Sequence, residues 1–233
     1  MVDAVSFKEA QLKNERVKSA YAEKETVLKG YFVEKQLSYA GFQLFIRAFK
    51  KEQNLEVWIK EKGKEEFILF RTYAFCSSSG TLGPKRKEGD LQIPEGIYHI
   101  NHFNPFSNFY LSLGVSYPNA SDKILSDKQH PGGSIYIHGN CVTIGCIPIT
   151  DDKIKELYVL AVEARNNGQD KIPLHIFPDR LDLGSPEKLA QDNNVSKNVA
   201  DFWKNLQPVY LDFKATKKLK RVTVTAKGEY QLN

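Results

Sequence analysis

The segment Ser134-Ile-Tyr-Ile-His-Gly-Asn-Cys-Val-Thr-Ile-Gly-Cys-Ile-Pro-Ile-Thr150 places one histidine and two cysteines within nine positions. A nucleophilic thiol needs a neighbouring base to raise its thiolate fraction. His138 meets Cys146 if the seven residues between them fold back as a tight loop, which Gly139 and Gly145 permit. A glycine directly before the cysteine also lets the amides of Gly145 and Cys146 turn toward one point, as an oxyanion hole for acyl transfer requires. A helix beginning near Thr150 would add its N-terminal dipole in favour of a thiolate. Read from residue types alone, two alternatives stay open. The cysteines serve as small buried hydrophobes, or His130, His138, Cys141 and Cys146 bind zinc, although spacings of seven, two and four residues match no familiar finger or ribbon. A Cys141–Cys146 disulfide, in an oxidising compartment, would silence the nucleophile.

The elements that must hold these residues follow from periodicity. Ser6 to Gln36 is charge-rich, proline-free and carries a narrow apolar stripe (Val17, Ala20, Tyr21, Val27, Leu28, Tyr31, Phe32). It predicts one or two surface helices rather than a core piece. Phe42–Phe49, Leu55–Ile59 and Phe67–Phe75 are β-branched and aromatic runs, separated by the polar turns Lys50–Asn54 and Glu61–Glu66. They predict a three-stranded meander. Strands are expected over Gly96–Asn101, Phe109–Tyr117, Ser134–His138 and Ile172–Phe177, with a helix from Thr150 stopped at Asn166-Asn-Gly168. Ser196–Asn205 reads as helical, Arg221–Leu232 as a hairpin around Lys227-Gly228, and Leu183–Ser196 as an exposed loop or short helix. The fold class is α+β with strands dominating the middle, divided into an N-terminal helical arm (1–38), a central domain (39–180) and a C-terminal helix-plus-strand extension (181–233).

Composition excludes several classes. In 233 residues the hydrophobic share is 41% and the charged share 26%, enough for a packed core and against wholesale disorder. No window holds the roughly 18 uninterrupted apolar residues of a membrane helix. The net charge of +5 is spread along the chain, and its densest basic stretch, Lys214–Arg221, reads as a lysine-guarded edge, not a nucleic-acid face. Three cysteines are too few and odd in number for a disulfide framework. The remaining histidines, His99, His102 and His175, and the tryptophans Trp58 and Trp203, read as packing or surface residues.

His138-Gly139 and Thr143-Ile144-Gly145-Cys146 stand behind two further blocks, Lys87-Glu-Gly-Asp-Leu-Gln-Ile-Pro-Glu-Gly-Ile-Tyr98 and Asn104-Pro-Phe-Ser-Asn-Phe-Tyr-Leu-Ser-Leu-Gly-Val-Ser-Tyr-Pro-Asn119. Together and in this order they resemble the L,D-transpeptidase catalytic domain, the YkuD/ErfK family of peptidoglycan enzymes, over about Phe42 to Pro178. The short gap between His138 and Cys146 is similar to the branch with murein transpeptidase-related amidases and L,D-carboxypeptidases.

The resemblance implies that Cys146 is the acylated nucleophile and His138 its base, oriented by a backbone carbonyl, that of Gly139. It implies that Thr143 stands at a family Ser/Thr position, that the amides of Gly145 and Cys146 form the oxyanion hole, and that Tyr117 and Ser107 line the substrate cleft. Asp90, Pro94, Glu95 and Gly96 would be scaffold. No metal and no organic cofactor is implied. The implied partners are peptidoglycan stem peptides, with an envelope protein as a further acyl acceptor or leaving group, and neither nucleic acid nor a membrane span. Two departures stand out: Ile144 where many members have a second histidine, and Pro148 where many carry an arginine. A non-catalytic peptidoglycan-binding module is the competing reading. The N-terminus lacks a secretory pattern, so a periplasmic or cell-envelope protein would have had its leader removed.

Overall fold

The structure, a computed structural model, describes residues 5–182 and 184–233. Two N-terminal helices, α1 (Phe7–Gln11) and α2 (Glu15–Glu34), begin at side-chain caps, Ser6 with a reciprocal Glu9 bond and Asn14 accepting from the Arg16 amide. The expected meander follows as β1 (Gln43–Phe49), β2 (Asn54–Lys60) and β3 (Ile68–Ala74), antiparallel throughout. Next come β4 (Gly96–Asn104), β5 (Ser112–Val115), the short α3 (Ala120–Leu125), β6 (Tyr136–His138) and β7 (Ile147–Pro148). Then α4 (Asp151–Asn166) leads into β8 (Ile172–Phe177), and the chain ends with α5 (Ser185–Asp192), α6 (Lys197–Thr216) and the hairpin β9 (Val222–Val224) and β10 (Tyr230–Leu232).

Eight strands form one mixed sheet in the order β3-β2-β1-β8-β4-β5-β6-β7, with β1·β8 and β6·β7 parallel. Alternation along the central strands decides which helix covers which face. Leu44, Ile46 and Ala48 of β1 and Leu174 and Ile176 of β8 enter the main core with α4, whereas Phe45, Phe49 and Phe177 meet Trp203, Tyr210 and Phe213 of α6. Both faces of the sheet centre are therefore covered, which explains why β1 reads as a near-continuous apolar run.

Several expectations need correction. The N-terminal arm is not a purely surface piece: Val17, Ala20 and Leu28 are fully buried in the main core, because α2 packs along α4. The strand expected from Phe109 begins only at Ser112, since Phe109 and Tyr110 are spent in a turn in which Tyr110 has φ +72°. The helix from Ser196 continues to Thr216 through Pro208, held by the buried stripe Phe202, Trp203, Leu206, Val209, Tyr210, Phe213. The basic stretch from Lys214 begins inside that helix, so it is not an edge strand. Lys50, expected in a polar turn, is buried.

Candidate active site

The reactive segment sits at the β5-β6-β7 edge. In the parallel pair β6·β7, Ile137 lies opposite Ile147 and His138 opposite Pro148, and both isoleucines enter the main core. The pleat then turns His138 and Cys146, which directly precedes β7, to the other face. A two-residue strand thus suffices to bring His138 and Cys146 to neighbouring positions of paired strands.

His138 is buried, and its Nδ1 lies 2.5 Å from the Gly139 carbonyl oxygen. A carbonyl only accepts, so Nδ1 carries the proton and Nε2 is left with its lone pair. The expected role of the Gly139 carbonyl as the group that orients the imidazole has this geometry. Gly139 itself is hemmed in: a Cβ there would meet Asp151 Oδ1 at 2.5 Å and Ile154 and the Phe109 carbonyl at 3.0 Å. The Phe109 ring stacks on the imidazole with centroids 4.6 Å apart. Burial pushes the His138 pKa below its ordinary value, opposed by the bond to Gly139. Burial likewise pushes the Cys146 thiol up, opposed by the Tyr136 amide and the Lys85 ammonium. Both shifts favour the uncharged forms, a neutral thiol and a neutral imidazole.

The thiol donates to the Ser134 carbonyl at 3.7 Å. Around it, Thr143 closes the turn: its Oγ1 accepts from the Cys146 amide at 2.8 Å and the Gly145 amide at 3.2 Å, and donates to the Cys146 carbonyl at 2.8 Å. The two amides expected to form an oxyanion hole are thus engaged by a hydroxyl, a side-chain bond that competes for backbone donors in tight turns. Gly145 is held at φ +133°, where a side chain would be strained.

The cysteines are arranged differently from the considered pairing. Cys141 bonds to Cys76, at the end of β3, and Cys146 is the free thiol. With Cys141 consumed, the four-ligand zinc reading fails, and no cluster of three potential metal-binding side chains occurs among the described residues. The loop is further tied by Asp151 Oδ1, which accepts from the Asn140 amide at 2.7 Å. Val142 and Ile144 stand exposed on it, Ile144 at 79%. Pro148 is buried against His138 in the strand pair, so no cation is presented from that position.

Tyr117 and Ser107, expected to line the cleft, are both buried. The Tyr117 hydroxyl donates to the Pro131 carbonyl at 2.8 Å from a buried position, bracing the loop that leads to Ser134. Ser107 is buried, and its Oγ accepts from the Phe109 amide at 3.0 Å. Sequence reasoning missed Phe109 and Asp151, which folding brings to His138 and Gly139, and the Ser134 carbonyl, a backbone group that residue types do not mark. Asp151 alone carried a signal, as an acidic residue in the first turn of a helix next to the reactive segment.

The family model of the L,D-transpeptidase catalytic domain (YkuD) matches residues 44–172. Among curated proteins, the chain is 33% identical over 192 residues to YafK of Escherichia coli strain K12, described only provisionally as an L,D-transpeptidase, covering 82% of this chain and 74% of the relative. Among solved structures it is similar to Pgp2, a helical cell shape determining protein from Campylobacter jejuni (19% identity, TM-score 0.47, 79% of this chain and 73% of that one). Bd1075 of Bdellovibrio bacteriovorus aligns at 22% identity with a TM-score of 0.42, over 73% of this chain and 62% of that one. The match from β1 to the start of β8 spans the reactive segment and the strands that hold it, and on it and the identity to YafK the chain belongs to the L,D-transpeptidase catalytic-domain family.

Proposed function

We propose that the chain is a cysteine-dependent peptidoglycan L,D-transpeptidase that acts on stem peptides through a thioester. What supports this reading is that the one free cysteine, Cys146, directly precedes the strand paired with that of His138, whose Nδ1 proton faces the Gly139 carbonyl and leaves Nε2 able to accept. Rotation of the thiol away from the Ser134 carbonyl hands its proton to Nε2 as sulfur attacks the carbonyl of an L-residue linked to a D-residue. The C–N bond then breaks, the departing amine takes that proton from the imidazole, and the acyl group stays on sulfur. An amine of a second stem or of an envelope protein gives its proton to Nε2, attacks the thioester and regenerates the thiol. No step calls for a metal or organic cofactor. A cell-envelope location accords with such a substrate and with the Cys76–Cys141 disulfide, which persists in oxidising compartments.

Hydrolysis, as an L,D-carboxypeptidase or a peptidoglycan–protein amidase, is the second reading. It is favoured by the exposed loop Cys141–Ile144 beside the thiol, which leaves water a route to the thioester. Product analysis with purified tetrapeptide muropeptides, for the native protein and Cys146→Ala, tests both. New dimers from the native protein alone mean transpeptidation; loss of D-Ala with monomers retained means hydrolysis. No product and no acyl adduct on Cys146 would instead leave a binding module, or a different scissile bond such as a peptidoglycan–protein link.

A further inference from the structure

Two charged side chains that acyl transfer does not use are buried at the end of β1 and the start of β4. Lys50 is 5% exposed and Glu95 0%. The Lys50 Nζ donates to the Gly83 carbonyl at 2.6 Å and the Ile93 carbonyl at 2.9 Å, and pairs with Glu95 Oε1 at 3.0 Å. Glu95 Oε1 also accepts from the Gly83 amide at 2.8 Å, and Oε2 accepts from the indole N–H of the fully buried Trp203, in α6, at 2.7 Å. This is a buried ion pair whose remaining polar capacity is satisfied, the condition under which such a pair is tolerated.

Its far end approaches the turn before Cys146. Lys50 fixes the Ile93 carbonyl, and the neighbouring Gln92 carbonyl lies only 3.0 Å from where a Cβ on Gly145 would stand. The turn before Cys146 therefore rests directly on the Gln92 peptide. We propose that Trp203, Glu95 and Lys50 are positioning residues for the Cys146 turn, so that the C-terminal extension sets the geometry of the nucleophile. This rests on the reading of Cys146 as nucleophile. Without the indole N–H, one buried carboxylate oxygen is left unpaired. Glu95 shifts to relieve it, Lys50 follows its carboxylate, and the wall formed by Gln92 and Ile93 loosens behind Gly145. Nucleophilic catalysis is sensitive to displacements of about 1 Å.

The test compares Trp203→Phe with Leu206→Ala, a buried residue of the same helix outside the network. In Trp203→Phe, amide hydrogen exchange at residues 91–95 and 143–147 is expected to rise roughly fivefold or more. The turnover number on muropeptides should fall by roughly fivefold with KM unchanged. Leu206→Ala, although destabilising, should leave both segments and the turnover number near native. Unchanged exchange at 143–147 in a folded Trp203→Phe protein, or equal acceleration in Leu206→Ala, overturns the proposal. If Trp203→Phe does not fold, Glu95→Gln, which removes the charge but keeps the shape, carries the same comparison. Exchange is read without substrate, so a native protein inert toward muropeptides would count against the proposed reaction and leave this inference to be decided by the exchange data.

Discussion

At the scale of single residues, the neutral resting pair has a measurable signature. The lowered pKa of His138 means that its imidazole stays unprotonated to below the ordinary value, so the proposed reaction should be lost only as pH falls through that lowered pKa. Phe109→Ala takes away the ring stacked on the imidazole and so lessens the burial that causes the lowering. The acid limb of kcat/KM should then move to higher pH, and a profile that stays in place would show that the stacked ring does not shield the base. His138→Ala should slow alkylation of Cys146 by roughly 100-fold or more at neutral pH, as loss of a general base does; equal rates in the two proteins would count against pairing. Thr143→Val removes the oxygen that holds two amides and should cost about 1–3 kcal/mol of stability by urea denaturation.

Elements explain what the sequence made legible and what it hid. The meander and α4 were readable because each is a long run of one period, and His138 and Cys146 stood out as the dense chemistry of the chain. Hidden were contacts made by sheet order: β8 inserts between β1 and β4, and no local pattern announces a parallel partner more than a hundred residues away. Lys50 looked like turn material because lysines usually are, and only Glu95, Gly83 and Ile93 make its burial tolerable. The Cys76–Cys141 bond was equally unreadable from spacing, since β4, β5, α3 and β6 all lie within the loop it closes. Within β8, His175 is buried between Phe45 and Phe177 beside Arg47, and burial followed by that cation depresses its pKa to about 3. Its folded-state pKa lies below the unfolded value of about 6.5, so its contribution is intact above that value and is lost as pH falls from there toward 3. His175→Leu should therefore lessen the loss of stability between pH 7 and pH 4.5 in urea titrations; an unchanged difference would place the acid sensitivity elsewhere.

For the molecule as a whole, the disulfide closes a separation of 65 residues, and loop-closure entropy makes such a link worth up to about 4 kcal/mol. Cys76→Ser with Cys141→Ser should lower the melting temperature by roughly 10 °C, more than either Ser substitution would on an exposed loop without a crosslink; an unchanged melting temperature would mean that the bond constrains the unfolded chain little. No helix among the described residues is long and apolar enough to span a membrane. The division of labour around the reactive segment bears on how such a protein diversifies. His138 and Cys146 are held at adjoining strands, while the residues between them leave the sheet, are pinned at Cys141 and surface at Val142 and Ile144. Substitutions at Val142 and Ile144 can accumulate without moving the turn that Thr143 and Gly145 hold, so variation between lineages is expected to gather at those two positions.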